Sequence, residues 1–381
     1  MKIGITCYPS TGGSGVLASE LGKFLAYKGH SVHFITQSVP FRLRDQYHEN
    51  LVSHIVEMEP NPLFEYPPYE LALASKMRDV VLSEGLDVLH VHYAIPHSIS
   101  AYLATQMLLP LKVPFVTTLH GTDITLVGQQ NSFFDITRFG IEKSSAVTAV
   151  SNYLKQKTED VFHTEQPIRR VYNFIDTKLF KKQTGPCHRP SFASEEQIVF
   201  MHLSNFRPIK RIEDVIRVFA KTLEKIDGVL VMIGEGPMLR PARELAAQMG
   251  IASKIRFIGN QNDIPNLLGC GDIFLFPSEM ESFGLAPLEA MACEMPVIAS
   301  NSGGIPEVVE NGESGFLAEP GDIESMAEKA ILLGQSHALR AKMGASGRRR
   351  AETVFPPELA IKQYEEIYAE VIATAGKSTV F

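Results

Sequence analysis

Short apolar runs alternate with amphipathic runs of helix length along most of the chain. Residues 2–7 predict a strand, followed by the Gly-rich turn Thr11-Gly12-Gly13-Ser14-Gly15 and a helix over 16–28. That helix sets Val16, Leu17, Leu21, Phe24 and Leu25 on one side, and Gly29 is placed to end it in the left-handed conformation. Further strands are read at 31–36, 87–92, 115–119 and 146–150. The pattern restarts near Ile198, with strands at 198–203, 229–233, 255–257, 273–276 and 297–299 and an amphipathic helix over 212–226. Residues 171–180 read as a crossover and 181–195 as a polar, aperiodic loop. Apolar strands separated by helix-length segments predict βαβ units and parallel sheets. The expected fold is α/β, with two doubly wound Rossmann-like domains at 1–170 and 171–357 facing a central cleft. A last helix within 358–381 is free to join either half. Ligands of such sheets sit beyond the carboxyl ends of the strands.

Length and composition fit this picture. At 381 residues, the chain holds two to three domains of roughly 150 residues. Hydrophobic residues at 45% and charged residues at 21% exclude a disordered, collagen-like or coiled-coil chain. The net charge of −7 argues against a duplex nucleic-acid binder, which carries a basic surplus. Cys7, Cys187, Cys270 and Cys293 are far apart and form no C-x-x-C, so they read as reduced thiols of a cytoplasmic protein. Pro9 breaks the N-terminal apolar run too early for a signal peptide, and no apolar stretch reaches the ~18–20 residues of a spanning helix.

Four segments carry candidate chemistry. Gly13-Ser14-Gly15 lets a backbone approach an anion at a helix start and fits the dinucleotide pattern G-x-G-x-x-A. The acidic ribose ligand of that pattern is missing, because Thr36, Gln37 and Ser38 stand where it belongs. A phosphate-facing loop and a plain tight turn both remain. Glu281 and Glu289 lie eight residues apart around Phe283, Gly284 and Leu285, one in a loop after a strand and one inside the following helix. Arg207, Lys210 and Arg211 concentrate cations after another strand, as an anion site or a solvated helix start. His90 and His92 share a strand face without further ligands at metal spacing, and His120 stands at a strand end as a cleft residue or a structural histidine. Gly376-Lys377-Ser378-Thr379 is no P-loop, because position 371 is Val. No Asp-x-Asp pair is present.

Together these pieces resemble the retaining GT-B glycosyltransferases that carry a Glu-x7-Glu motif. The motifs Glu289-Ala290-Met291-Ala292, Pro296-Val297-Ile298-Ala299, Gly303-Gly304-Ile305-Pro306-Glu307 and Asn311-Gly312-Glu313-Ser314-Gly315-Phe316-Leu317 carry the resemblance. Tyr8-Pro9-Ser10-Thr11-Gly12-Gly13-Ser14-Gly15 and Ser204-Asn205-Phe206-Arg207 narrow it. The resemblance implies UDP-N-acetylglucosamine as donor, L-malate as acceptor in the first step of bacillithiol biosynthesis, no metal or cofactor, and a homodimer. It assigns Glu289 to the uridine ribose, and Glu281 with the Phe283–Leu285 backbone to the transferred sugar. Lys210 falls to the diphosphate and Gly13 to the donor phosphate through its N–H. The family's second diphosphate cation falls at Asn205, so Arg207 or Arg211 replaces it. His120 stands near the sugar, and Tyr93, Arg138, Thr118 and Asn152 receive the acceptor carboxylates. Another acceptor such as an inositol phosphate, a UDP-sugar epimerase and a non-catalytic nucleotide-sugar sensor are the alternatives.

Overall fold

The computed structural model describes residues 1–9, 12–44, 47–58, 67–183 and 187–377. Ser10, Thr11, Ser378 and Thr379, and part of the polar loop over 181–195, lie outside them. The chain divides into two compact units, Met1–Asn173 joined by the segment from Pro357, and Phe174–Pro356.

The first unit contains β1 (Lys2–Thr6), β2 (Ser31–Thr36), β3 (Leu51–Ile55), β4 (Val88–His92), β5 (Phe115–Leu119), β6 (Ala146–Ala149) and β7 (Ile168–Arg170). They form one parallel sheet in the order β3-β2-β1-β4-β5-β6-β7. The second unit contains β8 (Ile198–Leu203), β9 (Gly228–Ile233), β10 (Ile255–Gly259), β11 (Ile273–Phe276), β12 (Val297–Ser300) and β13 (Gly315–Ala318). Its order is β10-β9-β8-β11-β12-β13, again parallel. Strands β1, β4 and β5 are almost entirely buried, because helices cover both faces of a parallel sheet. In each sheet the winding direction reverses once, between β1 and β4 and between β8 and β11. Doubly wound sheets open a crevice at such a reversal.

Two helix boundaries differ from the sequence expectation. The first helix is Gly13–Tyr27, so it starts at Gly13 rather than at Val16. Gly12 is extended at its N-cap and its carbonyl accepts the Val16 N–H at 3.1 Å, which makes Gly13, Ser14 and Gly15 the first turn. Gly29, at φ +90°, closes the other end, with the His30 N–H on the Leu25 carbonyl. The amphipathic helix of the second unit stops at Thr222.

The final helix, Pro357–Lys377, packs on the first unit. The Tyr368 hydroxyl meets His90 Nδ1 at 2.6 Å, and Glu365 pairs with Lys28 at 2.6 Å and His30 at 2.8 Å. Arg169 grips Glu370 with both guanidinium nitrogens.

Candidate functional site

In the second unit, the loops leaving β8 and β11 meet at the sheet's reversal. Arg207 is extended, Pro208–Lys210 forms one 3-10 turn, and Arg211 takes a left-handed conformation before the helix starting at Ile212. The Glu279 N–H bonds the Ile209 carbonyl at 2.8 Å, tying this turn to the loop after β11. Across that tie, Lys210 Nζ lies 2.5 Å from Glu281 Oε1, both side chains being largely buried. The Lys210 ammonium also sits 5.7 Å from the centre of the Phe276 ring. Arg211 pairs with Asp214 and Glu279. Arg207 is exposed and makes no ion pair among the described residues, which favours it over Arg211 as the second cation free for an anion. Asn205 is exposed on the same loop.

Gly284, at φ +106°, turns the chain into the helix Leu285–Ala292. A side chain at that φ is strained by about 1–2 kcal/mol, so glycine suits the turn. The first amides of the helix, at Leu285 and Ala286, have no earlier helical carbonyl to bond. The Phe283 ring is buried against Phe355 at 5.6 Å, which leaves its backbone as the part facing a ligand. Glu289 is buried one turn further on. The Gly303-Gly304 pair has a steric role. A Cβ on Gly303 would meet the Glu281 carbonyl oxygen at 2.1 Å, and one on Gly304 the Ser282 carbonyl oxygen at 2.4 Å. Only glycine lets the loop after β12 press against the Glu281 loop, where the Gly304 N–H bonds the Glu281 carbonyl at 2.8 Å.

One part of this site escaped the sequence reading. A Cβ on Gly234 would lie 1.9 Å from the Ser204 carbonyl oxygen, and Gly236 backs onto Phe206 in the same way. The Phe206 N–H bonds the Glu235 carbonyl at 2.9 Å and the Met238 N–H bonds the Phe206 carbonyl at 2.8 Å. Gly234-Glu235-Gly236 therefore shapes the Asn205–Arg207 loop. A Gly-x-Gly after the apolar run 229–233 was its available signal.

In the first unit, the crevice lies outside β1 and β4. Tyr93, at φ +86°, ends β4 in a conformation uncommon for a non-glycine residue and directs its hydroxyl to Ser14 Oγ at 2.7 Å. That contact bridges the reversal. Burial pushes the Tyr93 hydroxyl up to about 12, so it stays protonated and donates. Gly13 is exposed at the helix start and Gly15 is buried. His120 Nε2 meets His92 Nδ1 at 2.8 Å, and His90 stacks on His92 at 4.5 Å. Burial lowers the His120 and His90 pKa values to about 3, so both rings are neutral. Both His90 nitrogens are engaged, by the Tyr368 hydroxyl at 2.6 Å and by Thr118 Oγ1 at 2.7 Å. Asp123, two residues after Gly121, is the clamp here. Its oxygens accept the Gly121 and Ala94 N–H groups, each at 2.9 Å, fixing the ends of β4 and β5 together.

The acceptor candidates scatter. The Thr118 hydroxyl bonds His90, Thr148 at 2.7 Å and Tyr364 at 3.2 Å. Three partners exhaust its proton and two lone pairs, so it faces the interior and is corrected to a structural residue. Arg138 is exposed and pairs with Glu142 at 2.8 Å along its own helix, Phe134–Lys143. Asn152 is exposed at the start of the helix Asn152–Phe162, with Nδ2 3.4 Å from the Tyr172 hydroxyl.

Comparison with known proteins agrees with this build. Residues 11–179 match the family model "Glycosyltransferase Family 4" and residues 187–350 match "Glycosyl transferases group 1". The chain is 46% identical to N-acetyl-alpha-D-glucosaminyl L-malate synthase of Bacillus anthracis, over 98% of this chain and 97% of that protein. Among solved structures, a glycosyltransferase from Rickettsia africae superposes with a TM-score of 0.81 at 25% identity, covering 97% of this chain and 98% of that one. Anabaena HepE in complex with UDP and glucose superposes with a TM-score of 0.80 at 20% identity, covering 97% and 99%. No helix among the described residues is long and apolar enough to cross a membrane.

Proposed function

Since the chain belongs to the GT-B glycosyltransferases, with a family 4 module followed by a group 1 module, we propose that it moves N-acetylglucosamine from UDP-N-acetylglucosamine to the hydroxyl of L-malate, retaining the configuration at the anomeric carbon. The full-length identity to the malate synthase carries this reading. The site chemistry supports a transfer from a diphosphate. As the bond from the anomeric carbon to the diphosphate breaks, negative charge grows on the leaving phosphate, and Lys210 and Arg207 are the cations to meet it. The free amides at Leu285 and Ala286 add donors in the same loop. With this charge supplied by side chains, the reaction proceeds without a metal.

Retention by double displacement needs a carboxylate nucleophile under the sugar. Glu281 already holds Lys210, and the buried Glu289 suits the ribose hydroxyls. The malate hydroxyl therefore attacks from the side the diphosphate leaves. Its proton passes to the departing phosphate oxygen as the new glycosidic bond forms. On this reading His120 borders the sugar and Tyr93 is the acceptor contact nearest the first unit's crevice, with Arg138, whose fork suits a carboxylate, reaching the acceptor only by leaving Glu142.

The test is mass spectrometry of the protein incubated with UDP-N-acetylglucosamine, small hydroxy acids and inositol phosphates in EDTA. N-acetylglucosaminyl malate with stoichiometric UDP is the expected product. UDP without that conjugate refutes the acceptor. A UDP-sugar isomer formed without acceptor indicates epimerisation, and no release of UDP refutes the donor.

A further inference from the structure

Away from both crevices, His33 on β2, His54 on the edge strand β3 and Glu84 at the end of the helix Tyr69–Glu84 converge. One ligand atom from each lies within 4.8 Å of the other two. His33 Nδ1 and His54 Nε2 are 3.0 Å apart, and His33 Nε2 is 2.9 Å from Ser31 Oγ. His33 is buried, whereas His54 and Glu84 are half-buried and open to solvent. We propose that these three side chains form a binding site for a divalent transition-metal ion of the zinc class, which staples the edge strand β3 to β2 and to the helix end.

Three points of chemistry support the assignment. Two imidazoles and one carboxylate form a common three-ligand set for zinc, with water as the fourth ligand. Some point lies within about 2.8 Å of all three atoms so spaced, against roughly 2.0–2.2 Å in a zinc site, so a modest rotation of His54 and Glu84 closes the shell. Two nitrogens on a tetrahedral zinc stand about 3.3 Å apart, close to the spacing already present between His33 and His54. Ser31 supplies the outer contact that ligating histidines require: when His33 Nε2–H donates to Ser31 Oγ, the Nδ1 lone pair is aimed at the ion. The helix terminus adds partial negative charge, and Lys2 Nζ already bonds the Glu84 carbonyl at 2.7 Å. The Lys2 and Lys76 ammonium groups act on the two rings and oppose a cation, which weakens its binding.

The test is calorimetric titration of the full chain with zinc chloride after chelator treatment and desalting, paired with thermal unfolding. One equivalent is expected to bind at this site and to raise the wild-type midpoint. His54→Ala and Glu84→Gln each weaken that event at least tenfold and abolish the rise, and Ser31→Ala weakens it about tenfold. Cys187→Ser, which removes a half-buried thiol, leaves the event intact. Should His54→Ala not fold, the half-exposed Glu84→Gln carries the comparison. No binding event, or one unchanged in Glu84→Gln, overturns the site and leaves His33 and His54 as a proton-sharing pair.

Discussion

Lys210 and Glu281 are the two side chains whose separation at 2.5 Å defines the second unit's crevice. Their expected roles differ. Lys210→Ala deletes the cation opposite the growing phosphate charge, and kcat/KM should fall by about 10²–10³-fold in a UDP-release assay. Glu281→Gln keeps the length and most of the hydrogen bonding, so it should retain most of the turnover. A covalent sugar adduct on Glu281 would instead make it a nucleophile. These two residues and Glu289 were legible as charges on the segments that follow apolar strands, the end of a parallel sheet where ligands bind. Asp123 and the Gly234-Glu235-Gly236 segment were not legible, because their work is done by backbone contacts with segments distant in the chain.

Among elements, the final helix shows how much one tertiary contact carries. Tyr368 is fully buried with its hydroxyl on His90 Nδ1, and His90 continues to Thr118. Tyr368→Phe leaves that nitrogen unpaired in the interior. A loss of about 1–3 kcal/mol is expected in urea unfolding. An unchanged midpoint would mean that water replaces the hydroxyl. Strands were legible in proportion to their burial. The central strands β1, β2, β5, β8 and β11 read within a residue of their observed ends. The strands missed were β3, β7 and β13, and all three are edge strands. An edge strand buries less of itself and shows a weaker apolar run: β7 is Ile168 followed by two arginines.

For the whole molecule, buried neutral histidines set the response to acid. Burial lowers His90 and His120 to about 3 and His97 and His202 to about 4, while in the unfolded chain each takes a proton near 6.5. Unfolding therefore binds protons below pH 6.5, and the stability these rings contribute at neutral pH is lost as pH falls from 6.5 toward 4. Asp123 acts in the opposite sense. Burial raises its pKa to about 6, so it contributes stability at low pH that disappears as pH rises through that value. Three of these histidines belong to the first unit against one such carboxyl, so the histidines prevail there. Urea midpoints should fall steadily from pH 7 to pH 5. A flat profile would show that the rings are protonated in the fold.

The sequence by itself determined the α/β class, the parallel strands, the near-equal halves and the loops that bear the cations and carboxylates. Those features follow from local periodicity and from residue types whose chemistry is the same wherever they stand. Tertiary structure decided which unit receives the final helix, because an amphipathic helix fits any apolar surface and only its Tyr364, Glu365, Tyr368 and Glu370 partners choose one. It also turned Thr118 inward, left Arg207 rather than Arg211 without an ion pair among the described residues, and gave Gly303-Gly304 and Gly234-Glu235-Gly236 their purpose. Each of those outcomes depends on which distant segment lies within hydrogen-bonding or van der Waals reach, and that is set only when the sheets wind and reverse.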